Sequence, residues 1–427
     1  MSVFAVVAAF ALCQTPLPAG DPPKQEPPQE APKPRGLVMQ SGDWSIKFYG
    51  FLRIDIIHDD SRPNSILLPA VIRSEEDAAN VAAHPGVAFA RGKSDFEISP
   101  RLTRIGFDLN GPLIEELGAK ASGKVEIDFY GNATSESRAE PRMRHAYAKL
   151  SWDTFSILAG QTGDVIAPLF PTVNNGIVMW GAGNLGDQRP MVLFDYHPKA
   201  GEGTVTSQLE IGVTGANDNA NLDAAPGNAY FDGPASGMPT IQGRLAYKGP
   251  HFWVERKTWE PGVWGHYARE HFDTVAVGAE DNFTSTAFGA DLTLPLHDMV
   301  DLRGEVWRGK NVDDVRGGIF QGISSVPGKA EEIPAAGGWA ELVIKTSDWW
   351  TIIVGSSRDN PNNEHVPAPT TGTNGAQANY VHYIGNRFPL GNGLTIGADY
   401  LHWTTRWAGQ LNDGTDNRVN IFIQWNY

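Results

Sequence analysis

The stretch WSIKFYGFLRIDI, residues 44–56, decides the fold. Its even positions Trp44, Ile46, Phe48, Leu52, Ile54 and Ile56 are apolar, while Ser45, Lys47, Arg53 and Asp55 alternate with them. Successive side chains of a strand point to opposite faces, so a period of two predicts a strand with one apolar and one polar face. Strands of soluble sandwiches usually run about five or six residues, whereas a tilted strand crossing a bilayer needs about 9–11. This run is long enough to cross.

The pattern recurs downstream. Leu117, Ala119, Ala121, Val125, Ile127 and Phe129 alternate with Lys120, Ser122, Lys124, Glu126 and Asp128. Similar rows are Val205-Leu209-Ile211-Val213, Phe288-Ala290-Leu292-Leu294, and Val300-Leu302-Val306 against Asp301, Arg303 and Glu305. Charges on alternate residues of long apolar strands would each cost several kcal/mol in a dry core unless paired. A water-filled lumen faced by the polar rows removes that conflict, and lipid accepts the apolar rows. Short links near residues 151–154, 248–250, 295–298, 346–348 and 389–392 alternate with long ones near 59–93, 163–189, 215–237, 309–337 and 358–378. Counting segments this way predicts an all-β transmembrane antiparallel barrel of about sixteen strands, with short periplasmic turns and long extracellular loops. Between residues 252 and 286, Glu260-Pro261-Gly262 interrupts the pattern, leaving one broken strand or two.

Composition agrees. The 427 residues include 47 Gly, 13 Trp, 19 Phe and 11 Tyr, types that favour turns, strands and interfacial belts. Beyond the first residues no apolar run is long enough to cross as a helix. A formal charge of −15 offers no basic stripe for nucleic acid, so no such partner is expected. Residues 1–19 read as a signal peptide, with the apolar stretch MSVFAVVAAFALC and Leu17-Pro18-Ala19 as a cleavage context. The context before Cys13, the single cysteine, does not fit a lipidation signal. Residues 20–43, rich in Pro, Gln and Glu, read as a solvated periplasmic tether, and residues 44–427 as the barrel. At the other end Val419, Ile421, Ile423, Trp425 and Tyr427 alternate with Arg418, Asn420, Gln424 and Asn426. An amphipathic last strand ending at Tyr427 looks like the signal read by the bacterial barrel-assembly machinery. The expected location is the bacterial outer membrane, with its lipid and lipopolysaccharide as partners.

For such a barrel the working chemistry is the electrostatics of the lumen wall. Alternation turns inward the candidate pore-lining cations Arg53, Arg104, Arg144, Lys149, Arg244, Arg303 and Arg418. The planar guanidinium fork suits carboxylate or phosphate. Asp55, Asp108, Glu126, Asp128, Glu210, Asp301, Glu305 and Asp399 turn inward as well, so each cation also has carboxylates to pair with across strands. Arg53, Arg104, Arg144 and Arg303 are candidates for a cationic ladder. The third long link carries Asp164, Phe170, Trp180 and Arg189 and has apolar bulk unusual in a solvated loop, so it is expected to pack inside as a constriction.

Several stretches resemble the DcaP-like porins and the related phosphate-selective porins O and P. They are residues 48–55 (FYGFLRID), 100–107 (PRLTRIGF), 125–131 (VEIDFYG), 142–147 (RMRHAY), 158–162 (LAGQT) and 417–419 (NRV). The resemblance implies a homotrimer of sixteen-stranded barrels, a third loop folded into the lumen, and traffic in small anions such as dicarboxylates or phosphate. Two departures stand out: residues 163–189 are almost devoid of Lys and Arg, and the tether is Pro-rich where the family resembles a coiled coil.

No enzymatic signature is present: neither a Gly-x-Ser-x-Gly elbow nor a His-Glu-x-x-His helix occurs, so no catalytic residue is expected. Residues 181–186 (GAGNLG) match the dinucleotide fingerprint by letter but lack a surrounding βαβ unit, and no cofactor is expected. His251, His266 and His271 with Glu255 and Glu270 are the conceivable metal set, although loop histidines are usually solvated and no metal is expected. The sequence therefore predicts a porin for passive diffusion of small polar solutes. A plugged barrel acting as receptor or envelope anchor, and a secreted carbohydrate-active β protein using Trp as sugar platforms, are the alternatives.

Overall fold

The computed structural model describes residues 37–74, 94–131, 138–173, 178–214, 235–271, 281–324, 331–366, 375–409 and 411–427. The expected leader and most of the expected tether lie outside these residues. Sixteen antiparallel strands form one closed sheet. They are β1 (Trp44–Asp59), β2 (Asp95–Ser99 and Arg104–Ile114), β3 (Ala119–Asp128), β4 (Arg142–Ser151) and β5 (Phe155–Gly163). Next come β6 (Gln188–Tyr196, resuming at Lys199–Ala200), β7 (Gly203–Gly212), β8 (Thr240–Pro250), β9 (Thr258–His271) and β10 (Asn282–His297). The rest are β11 (Val300–Lys310), β12 (Pro334–Ser347), β13 (Trp350–Pro361), β14 (Ala376–Gly391), β15 (Leu394–Trp407) and β16 (Gly414–Asn426). Each pairs with its chain neighbour, and β16 pairs with β1 from Arg418↔Asp59 to Asn426↔Phe51. That seam leaves no edge, as a strand sheet in lipid requires.

The two faces separate as the alternation predicts. On β11, Val306 is 64% exposed and Trp307 4% exposed. Leu52, Ile54 and Ile56 of β1 and Ile421 and Ile423 of β16 make the same outward apolar row across the seam. Seven short links join strands at one end of the barrel and longer ones at the other. The short-link end gathers aromatic rings: Trp349, Trp350 and Phe388 stack within 6.5 Å, and Phe252, Trp253 and Trp259 pack edge to face. An aromatic girdle of this kind suits a membrane interface.

The ambiguous region resolves into the 251–257 turn, β9 and the start of β10. Glu260-Pro261-Gly262 lies inside β9. The ladder to β8 is interrupted there, between Ala246↔Gly262 and Gly249↔Trp259, while the ladder to β10 continues. Proline has no N–H to give, so it is tolerated where one neighbour is unpaired. Strand β2 is likewise broken at residues 100–103, where Thr103 Oγ1 accepts from the Arg53 N–H (3.0 Å) and donates to the Arg53 carbonyl (3.1 Å). The hydroxyl replaces a missing strand partner. Upstream of the expected barrel start, Val38–Ser41 pairs with residues 44–47 of β1.

Among the described residues, parts of three long links turn into the lumen. They belong to L1 (residues 60–94), L3 (164–187) and L6 (311–333, with 3-10 turns Asp313–Val315 and Gly318–Phe320). Val165, Ile166, Ala167 and Leu185 of L3 bury with Val312 and Val315 of L6 against Trp264 and Trp307 of the wall. Ile72 of L1 and Val173, Met179 and Ala182 of L3 bury against Ile353, Val381, Tyr383 and Trp403. Large inward aromatic side chains thus give the loops a dry surface to pack on.

Candidate functional site

L3 carries no charged side chain between Asp164 and Asp187, so its backbone must find polar partners on the wall. Three inward glutamates supply them. Glu210 of β7 accepts the Val165 N–H (3.0 Å), Glu305 of β11 the Leu169 N–H (2.7 Å), and Glu341 of β12 the Thr172 N–H (2.9 Å). Glu341 also accepts the Thr172 hydroxyl and the Tyr383 hydroxyl. Together these bonds fix L3 along one side of the lumen. Trp307 Nε1 donates to the Gly183 carbonyl (2.8 Å), and Asn379 Nδ2 to the Gly181 carbonyl (2.7 Å). Gly183 has φ +116°, and a Cβ there would meet the Gly338 carbonyl oxygen at 2.5 Å, so only glycine lets L3 approach the wall this closely.

The segment 170–173 of L3 faces a group of arginines. Arg303 of β11 donates to Thr172 Oγ1 (3.1 Å) and the Phe170 carbonyl (3.4 Å) and pairs with Glu341. Arg387 of β14 donates to the Thr172 carbonyl (2.5 Å) and pairs with Asp399 (2.5 Å). Arg53 of β1 pairs with Asp55 (2.9 Å), donates to Gln424 (3.0 Å) and lies 3.6 Å over the Phe422 ring, which Arg387 also approaches at 5.0 Å. Arg53, Arg387, Phe422, Gln424, Thr395 and Thr172 line a hollow of about 240 Å³. The two guanidiniums and the Thr395 hydroxyl suit an oxyanion.

A second charged group lies along β1–β4, where side chains bond to one another and not to a loop. Arg144 pairs with Glu126 (2.8 Å) and Asp128 (3.3 Å), Arg142 with Asp128 (2.5 Å), and Arg104 reaches Glu126 at 3.9 Å. Lys124 sits by Asp108 (3.3 Å) and 4.7 Å over Tyr49. Register explains the crowding: Glu126 faces His145 and Ile127 faces Met143, so Arg144 is an extra bulged residue. The bulge lets Arg142 and Arg144 both reach Asp128, which strict alternation from Lys149 would not allow.

The sequence-derived candidates therefore divide. Arg53, Arg104, Arg144 and Arg303 do share the lumen wall, each against at least one carboxylate. Arg244 is locked between Asp291 (2.6 Å) and Glu260 (3.2 Å) and is 7% exposed. Arg418 packs by Asp59 (3.6 Å) and donates to the Ile66 carbonyl, tying L1 to the wall. Lys149, opposite Ser122, has no carboxylate partner among the described residues. Of the L3 candidates, Phe170 is half exposed at the arginine group, while Trp180 donates to the Leu185 carbonyl under Arg316. Asp164 and Arg189 stand at the loop's root: Arg189 clasps Asp164 at 2.7 Å and Asp314 of L6 at 3.3 Å, all three buried. They anchor L3 to L6 and do not line a passage. Arg387, Phe422, Arg142 and Glu341 are not singled out by the sequence; Glu210 and Glu305 are read as inward carboxylates, but not as acceptors for L3. For Arg387 a signal existed, since outward Ile384 puts Tyr383, Gly385 and Arg387 on the lumen face.

The conceivable metal set is not brought together: His251 is in the turn before β9, accepting the Val254 N–H, and His271 is at the far end of that strand. His266 lies between, bonded to Gln242 and Ser285. Residues 181–186 form part of L3, with no helix beside them.

No family model and no curated protein matches the sequence. Among solved structures, the chain is similar to the outer membrane channel DcaP of Acinetobacter baumannii over 92% of its own length and 99% of that chain, with TM-score 0.68 and 14% identity. It is similar to OmpT of Vibrio cholerae (TM-score 0.54, 12% identity, 92% and 100% covered). An anion-selective porin from Comamonas acidovorans gives TM-score 0.53 at 11% identity, with 90% and 100% covered. At these identities the likeness is one of architecture: the chain has the sixteen-strand barrel fold of outer-membrane porins.

Proposed function

We propose that the protein is a porin of the bacterial outer membrane, a passive channel for small polar solutes with a preference for anions. The observation that carries this reading is the hollow beside residues 172–173 of L3, lined on the wall by the guanidiniums of Arg53 and Arg387, with Arg303 bonded to the same uncharged loop. A diffusing carboxylate or phosphate exchanges water for these donors, while a cation meets like charge. Paired carboxylates behind the arginines keep the preference modest. Neighbours described as a channel and as an anion-selective porin support the reading. The long-link end is the extracellular side, the trimer form of Vibrio OmpT supports a homotrimer, and the strand ending at Tyr427 is the assembly signal. The leader and tether retain their sequence reading.

Reversal potentials of the reconstituted chain across a salt gradient test this proposal. An anion-to-cation permeability ratio above one is expected; a ratio below one sinks the anion preference, and absence of current sinks the channel. A second reading is favoured by the burial of L1, L3 and L6 together in two dry clusters. Those clusters suit a plugged barrel serving as receptor or anchor, which would stay silent in the same recording.

A further inference from the structure

Eight strands run toward the long-link end, and the outward residues near that end fall into two classes. Within the last few residues of β9, β11, β13 and β15 the outward row carries an exposed arginine: Arg269, Arg308, Arg358 and Arg406. Their outward aim follows from neighbours of opposite parity, since Ala268, Glu270, Trp307, Ser357, Asp359, Thr405 and Trp407 are buried. On β3, β5 and β7 the corresponding positions are uncharged Ile127, Gln161 and Ile211, and on β1 His58. Among these eight strand ends the outward arginines therefore lie on one arc of the barrel. None faces the lumen, so solute selection does not explain them.

Two of the four are built into a pair. Arg358 of β13 and Arg406 of β15 approach the ring of Tyr380, on the strand between them, at 5.2 Å and 5.1 Å. The shared ring holds two guanidiniums side by side at a site where like charges repel. Among the described residues compensation is weak: Arg358 donates to Asn360, and Arg406 has exposed Asp413 at 3.8 Å. For Arg269 and Arg308 no carboxylate partner occurs among the described residues. Below the pair the outward surface carries Ser356, His382 and His402, and in the next row Val354, Ile384 and Tyr400 are exposed.

A cation pair over a polar row, with apolar side chains beneath it, complements an amphiphile with phosphate on top and acyl chains below. We propose that Arg358, Tyr380 and Arg406 form a headgroup site for a phosphate-bearing lipid of the outer leaflet, extended along the arc by Arg308 and Arg269. This rests on the barrel being embedded in a membrane, and not on its passing solutes.

Native mass spectrometry of the full chain released from detergent, with diphosphoryl lipid A or phosphatidylcholine added, tests the site. The R358Q/R406Q variant is expected to hold lipid A about tenfold less tightly than the parent, equivalent to about 1.4 kcal/mol, with phosphatidylcholine unaffected and the reversal potential unchanged. Millimolar inorganic phosphate is expected not to displace the lipid. Equal lipid A retention by parent and variant, equal binding of the two lipids, or displacement by free phosphate would overturn the proposal. A shifted reversal potential would refute the outward placement. Should that variant not fold, R269Q/R308Q is read the same way, with a smaller loss expected and no loss counting against the arc. A parent that binds lipid A but passes no current supports this site and removes the channel reading alone.

Discussion

The Leu169 N–H donates to the Glu305 carboxylate at 2.7 Å, and this bond joins the middle of an uncharged loop to the wall of a barrel otherwise lined by ion pairs. Replacing Glu305 by alanine leaves a buried N–H without its acceptor, a loss of about 1–3 kcal/mol. L3 should then sample detached positions. Single-channel recordings of E305A are expected to show added current noise and brief larger openings; a trace as quiet as the parent's would show that Glu210 and Glu341 suffice.

Arg387 and Arg53 flank the same hollow, each with its own carboxylate. R387Q should lower the anion-to-cation permeability ratio severalfold by exposing the field of Asp399, and R53Q should act in the same direction through Asp55. Reversal potentials across a tenfold gradient of potassium chloride measure both. An unchanged ratio in the double variant would remove these residues from the selectivity path.

Arg189 is a contrasting case, since it bonds buried Asp164 and Asp314. R189Q strands two carboxylates in a dry site and is expected to destabilise the root of L3 and L6 by about 3–5 kcal/mol. Urea titration followed by tryptophan fluorescence should give an earlier transition, and the R189K variant should recover only part of the loss because it lacks the two-pronged fork.

Gly183 tests the packing of L3 without touching charge. A valine there must push away the Gly338 and Arg358 carbonyls, which a Cβ would meet at 2.5 and 2.8 Å. G183V is expected to raise proteolytic cleavage within L3 in folded, reconstituted protein, whereas the parent resists; equal resistance would contradict the close approach.

Burial tends to raise the Glu332 carboxyl in L6, but the Thr284 N–H and hydroxyl (3.0 and 2.8 Å) and nearby Lys310 outweigh it, holding the group below its ordinary value. A lowered folded value stabilises above the unfolded one and is lost as pH falls through the folded one. Hydrogen exchange at the root of L6 should therefore be flat near neutrality and, corrected for its intrinsic rate, accelerate in acid. E332Q should lack that step.

Most of the architecture was legible because alternation is set by backbone geometry: Leu52, Ile54 and Ile56 point outward and Arg53 and Asp55 inward from local sequence alone. Alternation alone does not turn both Lys149 and Arg144 inward; the bulge at Arg144 does. The pairing of the charged candidates was not legible, since Arg144 meets Asp128 through a bulge and Arg303 meets Glu341 through register. L3 announced its packing by apolar bulk. L1 and L6 did not, because Ile72 and Val315 are buried only by contact with Trp407, Trp403 and Trp307, residues distant in sequence.

The neutrality of L3 has one more consequence. Because the loop supplies bulk without charge and the wall supplies charge behind it, the proposed channel would hold aperture and field on separate residues: a change at Phe170 would reset how large a solute passes, and a change at Arg53 which sign. A chain organised in this way can drift toward a new diet through single substitutions, each altering one property while the other is conserved.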